Sequence, residues 1–170
     1  MLLNRRNFAA LAALSLSGCG FTPLYGGVQG TNASAALETV QIQNIPERVG
    51  QVLRLTLQQD LYRNGQPVQA LYLLSVGYTV VQTGEGVQAD TSTTRARFTA
   101  TAHWVLSPIG QPSLPLISGN VTAMNAMNVI DQQYFAGTLE TQTVNQQLAN
   151  EISAQITAQL MAWFRVHPPS

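Results

Sequence analysis

Arg95 and Arg97 are the side chains of this 170-residue chain whose type and spacing point most directly to chemistry. Two residues apart on a strand, they project from the same face, roughly 7 Å apart along it. A guanidinium grips phosphate or carboxylate through two parallel hydrogen bonds, so the pair could hold an anionic head group. The same residues could equally be solvated charges, paired with Asp90 or Glu85 beside a turn. Other reactive groups are sparse. His103 and His167 are the only histidines. His167 sits in a Pro-rich tail. His103 lies on the polar side of a strand without an acid at neighbouring alternate positions, so a structural role is expected for it. The acids are scattered singly and offer no carboxylate pair for general acid–base work. No nucleophile elbow, phosphate loop or dinucleotide fingerprint occurs, and no ligand cluster suits a metal. The chain is therefore expected to be no enzyme and to need no cofactor and no metal.

Cys19 is the one cysteine, which excludes an internal disulfide and a Cys-based zinc site. Its place in the chain gives it another chemistry. Residues 1–18 have the three-part plan of a secretory signal: Arg5 and Arg6 carry the positive charge, Phe8 to Leu16 form the apolar run, and Leu16-Ser17-Gly18-Cys19 closes it. The run is far short of the roughly 20 apolar residues of a membrane span. Its ending resembles the bacterial lipobox. The Cys thiolate is the nucleophile that accepts a diacylglycerol, and small residues before it let the peptidase reach the backbone. Cys19 is thus expected to be the lipidated mature N-terminus, anchoring the chain to a membrane. Gly20, in place of an inner-membrane retention Asp, favours the outer membrane. Arg5-Arg6-Asn7-Phe8 resembles a twin-arginine export signal, but no cofactor motif requires export in a folded state. A plain pair of leader charges is preferred.

Composition narrows the class of partner. Hydrophobic residues make up 45% of the chain, ordinary for a globular core, whereas charged residues reach only 9%, against roughly 25% in a typical domain. Lysine is absent, and after the leader six arginines face eight acids, a net of −2. This balance offers no footprint for nucleic acid and no polybasic grip on anionic lipid. The polar surface must be mostly Gln, Asn, Thr and Ser. It suits cover by a partner or a confined watery lumen, or else reflects a compositional habit of the organism.

The elements that must position these residues follow from periodicity. Residues 19–36, rich in Gly, Ala, Ser, Asn and Thr, read as a lipidated start and flexible tether. Residues 37–43 alternate as a strand. Asn44 is expected to cap a helix with Pro46 in its first turn and Glu47 three residues after the cap, ending at Asn64-Gly65 before Pro67. Alternation resumes over 70–83, and Gly84-Glu85-Gly86 reads as a turn. The cleanest alternation covers 93–106, where Ala96, Phe98, Ala100, Ala102, Trp104 and Leu106 oppose Arg95, Arg97, Thr99, Thr101 and His103. Ser107 to Pro115 reads as a loop and 117–129 as a fourth strand with Gly119, Val121, Ala123 and Met127 inward. Asp131 should cap a long helix to about Val166, with Leu148, Ile152, Ile156, Leu160 and Phe164 on its apolar face. The order β-α-β-β-β-α predicts an α+β two-layer sandwich. One four-stranded sheet would carry two helices on one face, as a single domain over 37–167.

Cys19-Gly20-Phe21-Thr22-Pro23-Leu24-Tyr25-Gly26 closely resembles the mature start of lipopolysaccharide-assembly lipoproteins of the LptE family, in the form typical of alphaproteobacteria. The element order, the helix start at Asn44 to Glu47, the Arg-x-Arg strand and the long Ala/Gln-rich last helix agree with it over nearly all of the chain. The resemblance implies an outer-membrane lipoprotein that sits inside an LptD-like lipopolysaccharide-translocon β-barrel. There it would act as plug and assembly factor while lipopolysaccharide is inserted into the outer leaflet. It implies no catalytic residue. Family members in some cases touch lipopolysaccharide, which would give Arg95 and Arg97 a ligand, although no lysine is available here to help. A lipid-binding auxiliary lipoprotein of an intermembrane transport system is the alternative; it would need an apolar pocket for acyl chains.

Overall fold

The computed structural model describes residues 28–62, 69–87, 93–128 and 134–169. Its elements are α1 (Val28–Leu37), β1 (Val40–Ile42), α2 (Arg48–Leu61), β2 (Tyr72–Val87), β3 (Thr93–Pro108), β4 (Ile117–Asn128) and α3 (Tyr134–Val166). The four strands form one sheet in the order β1-β2-β3-β4, with β1 parallel to β2 and the other pairs antiparallel. This is the expected α+β build with one helix more. The core lies between sheet and helices. Phe98, Trp104, Val76, Val121, Ile152 and Ile156 all belong to it. The five apolar residues that recur every four positions along α3, from Leu148 to Phe164, are all buried.

Alternation decides the faces of β3. Ala96, Phe98, Ala100, Ala102, Trp104 and Leu106 are buried, while Arg95, Arg97, Thr101 and His103 are exposed and Thr99 is half-buried. A one-residue slip would exchange these two sets, so the register is strongly specified. Trp104 lies opposite Gly119 on β4. A Cβ at Gly119 would stand 2.8 Å from the indole ring, so glycine leaves the space the ring fills. The Trp104 Nε1–H donates to Gln159 Oε1 of α3 at 3.2 Å, which satisfies the one polar atom of the buried indole.

Three local expectations are corrected. The tether expected over 19–36 is overturned from Val28 onward, where the residues form α1, which packs against α3; residues 19–27 lie outside the described residues. Ala33, Ala36 and Leu37 are buried there, at the i, i+3, i+4 spacing of one helix face. Small and polar residues read as linker one at a time, and burial against a neighbouring helix overrode that propensity. Thr39 closes the helix, its Oγ1 donating to the Ala36 carbonyl at 2.7 Å. Second, the helix expected from the Asn44 cap begins at Arg48. Glu47 holds the N-cap position with φ 67° and makes no side-chain cap hydrogen bond. Pro46 disfavours helical backbone at Ile45, Ile45 is buried, and the Gln43 amide still bonds Leu74 of the sheet at 2.9 Å. Third, Gly84-Glu85-Gly86 is strand. Pairing of β2 with β3 runs on through Gly84↔Ala96 and Glu85↔Arg95 to Val87↔Thr93. The glycines permit a turn, but the ladder that continues on both sides of them is worth more. The expected stops at Asn64-Gly65 and Pro67 and the cap at Asp131 lie outside the described residues.

Candidate ligand and docking surface

The helices cover one face of the sheet, and the outward residues of β2, β3 and β4 make up the other. The register sets them in cross-strand rows. One row holds residues 85, 95 and 128, and the next Thr83, Arg97 and Ala126. Val81, Thr99 and Met124 follow, then Thr79, Thr101 and Thr122, then Gly77, His103 and Asn120. Arg95 and Arg97 thus share a face as their spacing implied, and both are exposed. They line an open groove of about 400 Å³ with Met124, Asn125 and Ala126.

The formal charge that β3 and β4 bring to this groove is of one sign. From Phe98 to Ile130 the chain has no acidic residue, lysine or arginine, so Arg95 and Arg97 are the only formal charges on β3 and β4. Glu85 is the one acid of β2, and the pairing puts its backbone opposite Arg95. Asp90, the other expected counter-charge, lies outside the described residues. Beside the guanidinium groups, Val81 and Met124 are 54% and 64% exposed. The site thus sets two guanidinium groups, of the type that pairs with phosphate and carboxylate, beside an apolar shoulder in the adjoining row. That combination can hold an amphipathic molecule with an anionic head better than a free inorganic ion. The alternation found the arginines but not the shoulder. Met124 sits at an outward position of a strand read for its inward set, and only the register beside β3 brings it to the arginines.

The two histidines each have a neighbour of their own. His103 Nδ1 lies 2.6 Å from Asn120 Oδ1 across the outer face. His167 stacks on Trp163 with ring centroids 4.8 Å apart. Among the described residues no three His, Cys, Asp or Glu side chains gather into a metal-binding group. The Tyr78 hydroxyl is buried in the helix-facing layer with no hydrogen-bond partner, and burial pushes its pKa up to about 12. Cys19 and the leader lie outside the described residues.

On the helix side, α3 carries mostly neutral polar side chains, with Glu140, Glu151 and Arg165 as its charged residues. Gln147 accepts from Asn125 of β4 at 2.6 Å, Gln146 donates to Thr56 of α2 and to Asn150, and Ser153 donates to Asp60. Several of the Gln and Asn residues that sequence places on its polar face therefore tie α3 to its neighbours, while Gln142 is exposed.

No family model and no curated protein matches the chain. Among solved structures it is similar to a Caulobacter crescentus protein described as a lipoprotein, at 19% identity over 78% of this chain and 96% of that one, with a TM-score of 0.62. It is also similar to a minor lipoprotein from Acinetobacter baumannii, at 17% identity over 74% and 92% of the two chains and a TM-score of 0.58. The rare lipoprotein B of Shewanella oneidensis matches at 10% identity, over 76% and 96% of the two chains, with a TM-score of 0.55. At these identities the likeness is one of fold: this chain shares the α+β architecture of these three proteins over nearly their whole length.

Proposed function

We propose that this chain is a lipoprotein of the outer membrane, acylated at Cys19, whose domain plugs and helps assemble a lipopolysaccharide-translocon β-barrel. The observation that carries the reading is the outer face of the sheet. Three long strands present a broad surface whose formal charge is confined to one end, and a polar barrel wall can cover it through hydrogen bonds without burying unpaired charges, which would be costly. The fold likeness to three lipoproteins and the Cys19 to Gly26 octapeptide point the same way. In this reading Arg95 and Arg97 grip phosphorylated sugar or acidic groups of the partner, with Val81 and Met124 against adjoining apolar surface.

Site-specific photocrosslinking tests it, from Thr101 and Thr122 on the sheet and Gln142 on α3. Crosslinks to the barrel protein from the sheet positions are expected, and depletion of the chain should leave the barrel misassembled and lipopolysaccharide missing from the cell surface. Crosslinks only to inner-membrane transporter subunits would replace this reading with the auxiliary lipoprotein. The exposed Val81 and Met124 beside two arginines favour that second reading to the extent that one anionic lipid could lie there.

A further inference from the structure

Five of the nine large hydrophobic side chains exposed among the described residues gather at the opposite end of the sheet from Arg95. They are Leu71, Ile109, Leu114, Leu116 and Val166. Tyr72 pairs with Pro108 there, the Ile109 amide donates to Leu71, and the Leu116 amide donates to Leu106. Trp163 and Phe164 of α3 close on Tyr72 with ring centroids 6.3 and 5.2 Å away. An apolar tip with Trp and Tyr behind it has the layout of a surface that meets the lipid–water boundary.

The backbone of the tip is also suited to leaving water. An amide that enters lipid without a partner costs several kcal/mol. From Pro108 to Leu116, Ile109, Gln111, Leu114 and Leu116 donate to backbone carbonyls, and Pro108, Pro112 and Pro115 have no amide hydrogen. Seven of these nine positions therefore present no open backbone donor. The loop carries no formal charge.

The chain outside the described residues says which surface the tip meets. The N-terminal segment joins the sheet at this same end, where the Thr39 carbonyl accepts from Leu71 and Tyr72. Nine residue steps separate Cys19 from Val28, a reach of at most about 30 Å, and α1 adds about 15 Å. A lipid on Cys19 therefore holds this end of the domain within about 45 Å of the bilayer along the chain.

We propose that the tip formed by Leu71 and the Ile109–Leu116 loop is a second membrane contact, which dips into the bilayer surface that holds the Cys19 lipid and so orients the domain. This rests on the lipid anchor of the proposed function, not on the barrel, and describes the domain before or apart from a partner. Once Cys19 is acylated, Leu114→Cys supplies the only free thiol. Leu139→Cys is its control: an equally apolar, 65% exposed position, about 37 Å along α3 from Phe164. Each full-length lipoprotein is labelled with an environment-sensitive fluorophore and reconstituted in phosphatidylethanolamine–phosphatidylglycerol vesicles with or without brominated lipid. The Leu114 probe should shift to the blue and lose about two-fold or more of its emission to the brominated lipid, while the Leu139 probe stays as in water. Equal quenching at both positions, or at neither, overturns the proposal. Labelling of the parent protein at Cys19 itself would show the anchor missing. That outcome removes the anchor and the tip contact together, and is distinct from a water-exposed tip on an anchored protein.

Discussion

The two faces of β3 carry alternate residues of one strand, yet they are held by different means. Inward, Phe98, Ala100, Ala102, Trp104 and Leu106 are at most 3% exposed and locked between β4, α3 and the rest of the core. Outward, Arg95, Arg97, Thr101 and His103 meet solvent, with His103 bonded to Asn120. A change on the inner face should be read out as stability. On the outer face it should be read out as binding, because the strand is already fixed by its other side. The contrast separates the part of the molecule that makes the fold from the part left facing solvent.

The largest break is at Trp104. Trp104→Ala removes a buried indole and leaves Gln159 without its donor, so it should cost about 3–5 kcal/mol in denaturant unfolding. A cost within the range of surface substitutions would mean that the indole is not packed as described. Gly119→Ala attacks the same spot from β4. Its methyl would stand 2.8 Å from the ring, and a loss of about 1–3 kcal/mol is expected from overpacking. Trp104→Phe should relieve part of that loss in a double-mutant cycle. If the two losses simply add, the contact is not the cause.

Tyr78 sharpens the comparison in the other direction, as a polar group on the wrong face. Its hydroxyl is buried without a partner, so Tyr78→Phe should raise stability by about 1 kcal/mol. Its pKa, raised to about 12 by burial, also gives stability a pH dependence. The folded state holds the proton more tightly than the unfolded chain. That contribution is therefore complete below the usual phenol pKa of about 10 and is lost as pH rises towards 12. Unfolding followed between these pH values should show the loss in the parent protein and a smaller one in Tyr78→Phe.

The smallest effect on stability belongs to the outer face. Arg95→Gln with Arg97→Gln should change unfolding by no more than about 0.5 kcal/mol, while lipopolysaccharide binding or barrel assembly, assayed separately, falls. A large loss of stability would show the pair to be part of the fold. No change in either assay would leave them as solvated charges.

Much of the fold was legible because one face of each element had to be buried. The period-two runs over 70–83, 93–106 and 117–129 and the four-residue recurrence in the last helix named strands, helix and core residues correctly. Arg95 and Arg97 were legible as a pair by the same rule. The failures have a common cause, since each turned on a partner distant in sequence. α1 is made of residues that look like linker and becomes a helix where Ala33, Ala36 and Leu37 meet α3. Gly84-Glu85-Gly86 looks like a turn and is straightened by β3, and Asn44 gives up its cap because Ile45 is drawn into the core.

Sequence by itself determined which residues face the core of this protein, because the apolar periods of 2 and 3.6 are local properties of the backbone. Composition alone likewise set how little charge the surface can carry. Only the tertiary structure decided what those surfaces become. Strand register set Val81 and Met124 beside the two arginines, and the meeting of strand ends with the end of α3 brought Leu71, the Ile109–Leu116 loop and Trp163 to one tip. Both are contacts between segments far apart in the chain, and their free energy depends on which elements pack together rather than on any residue's own preference.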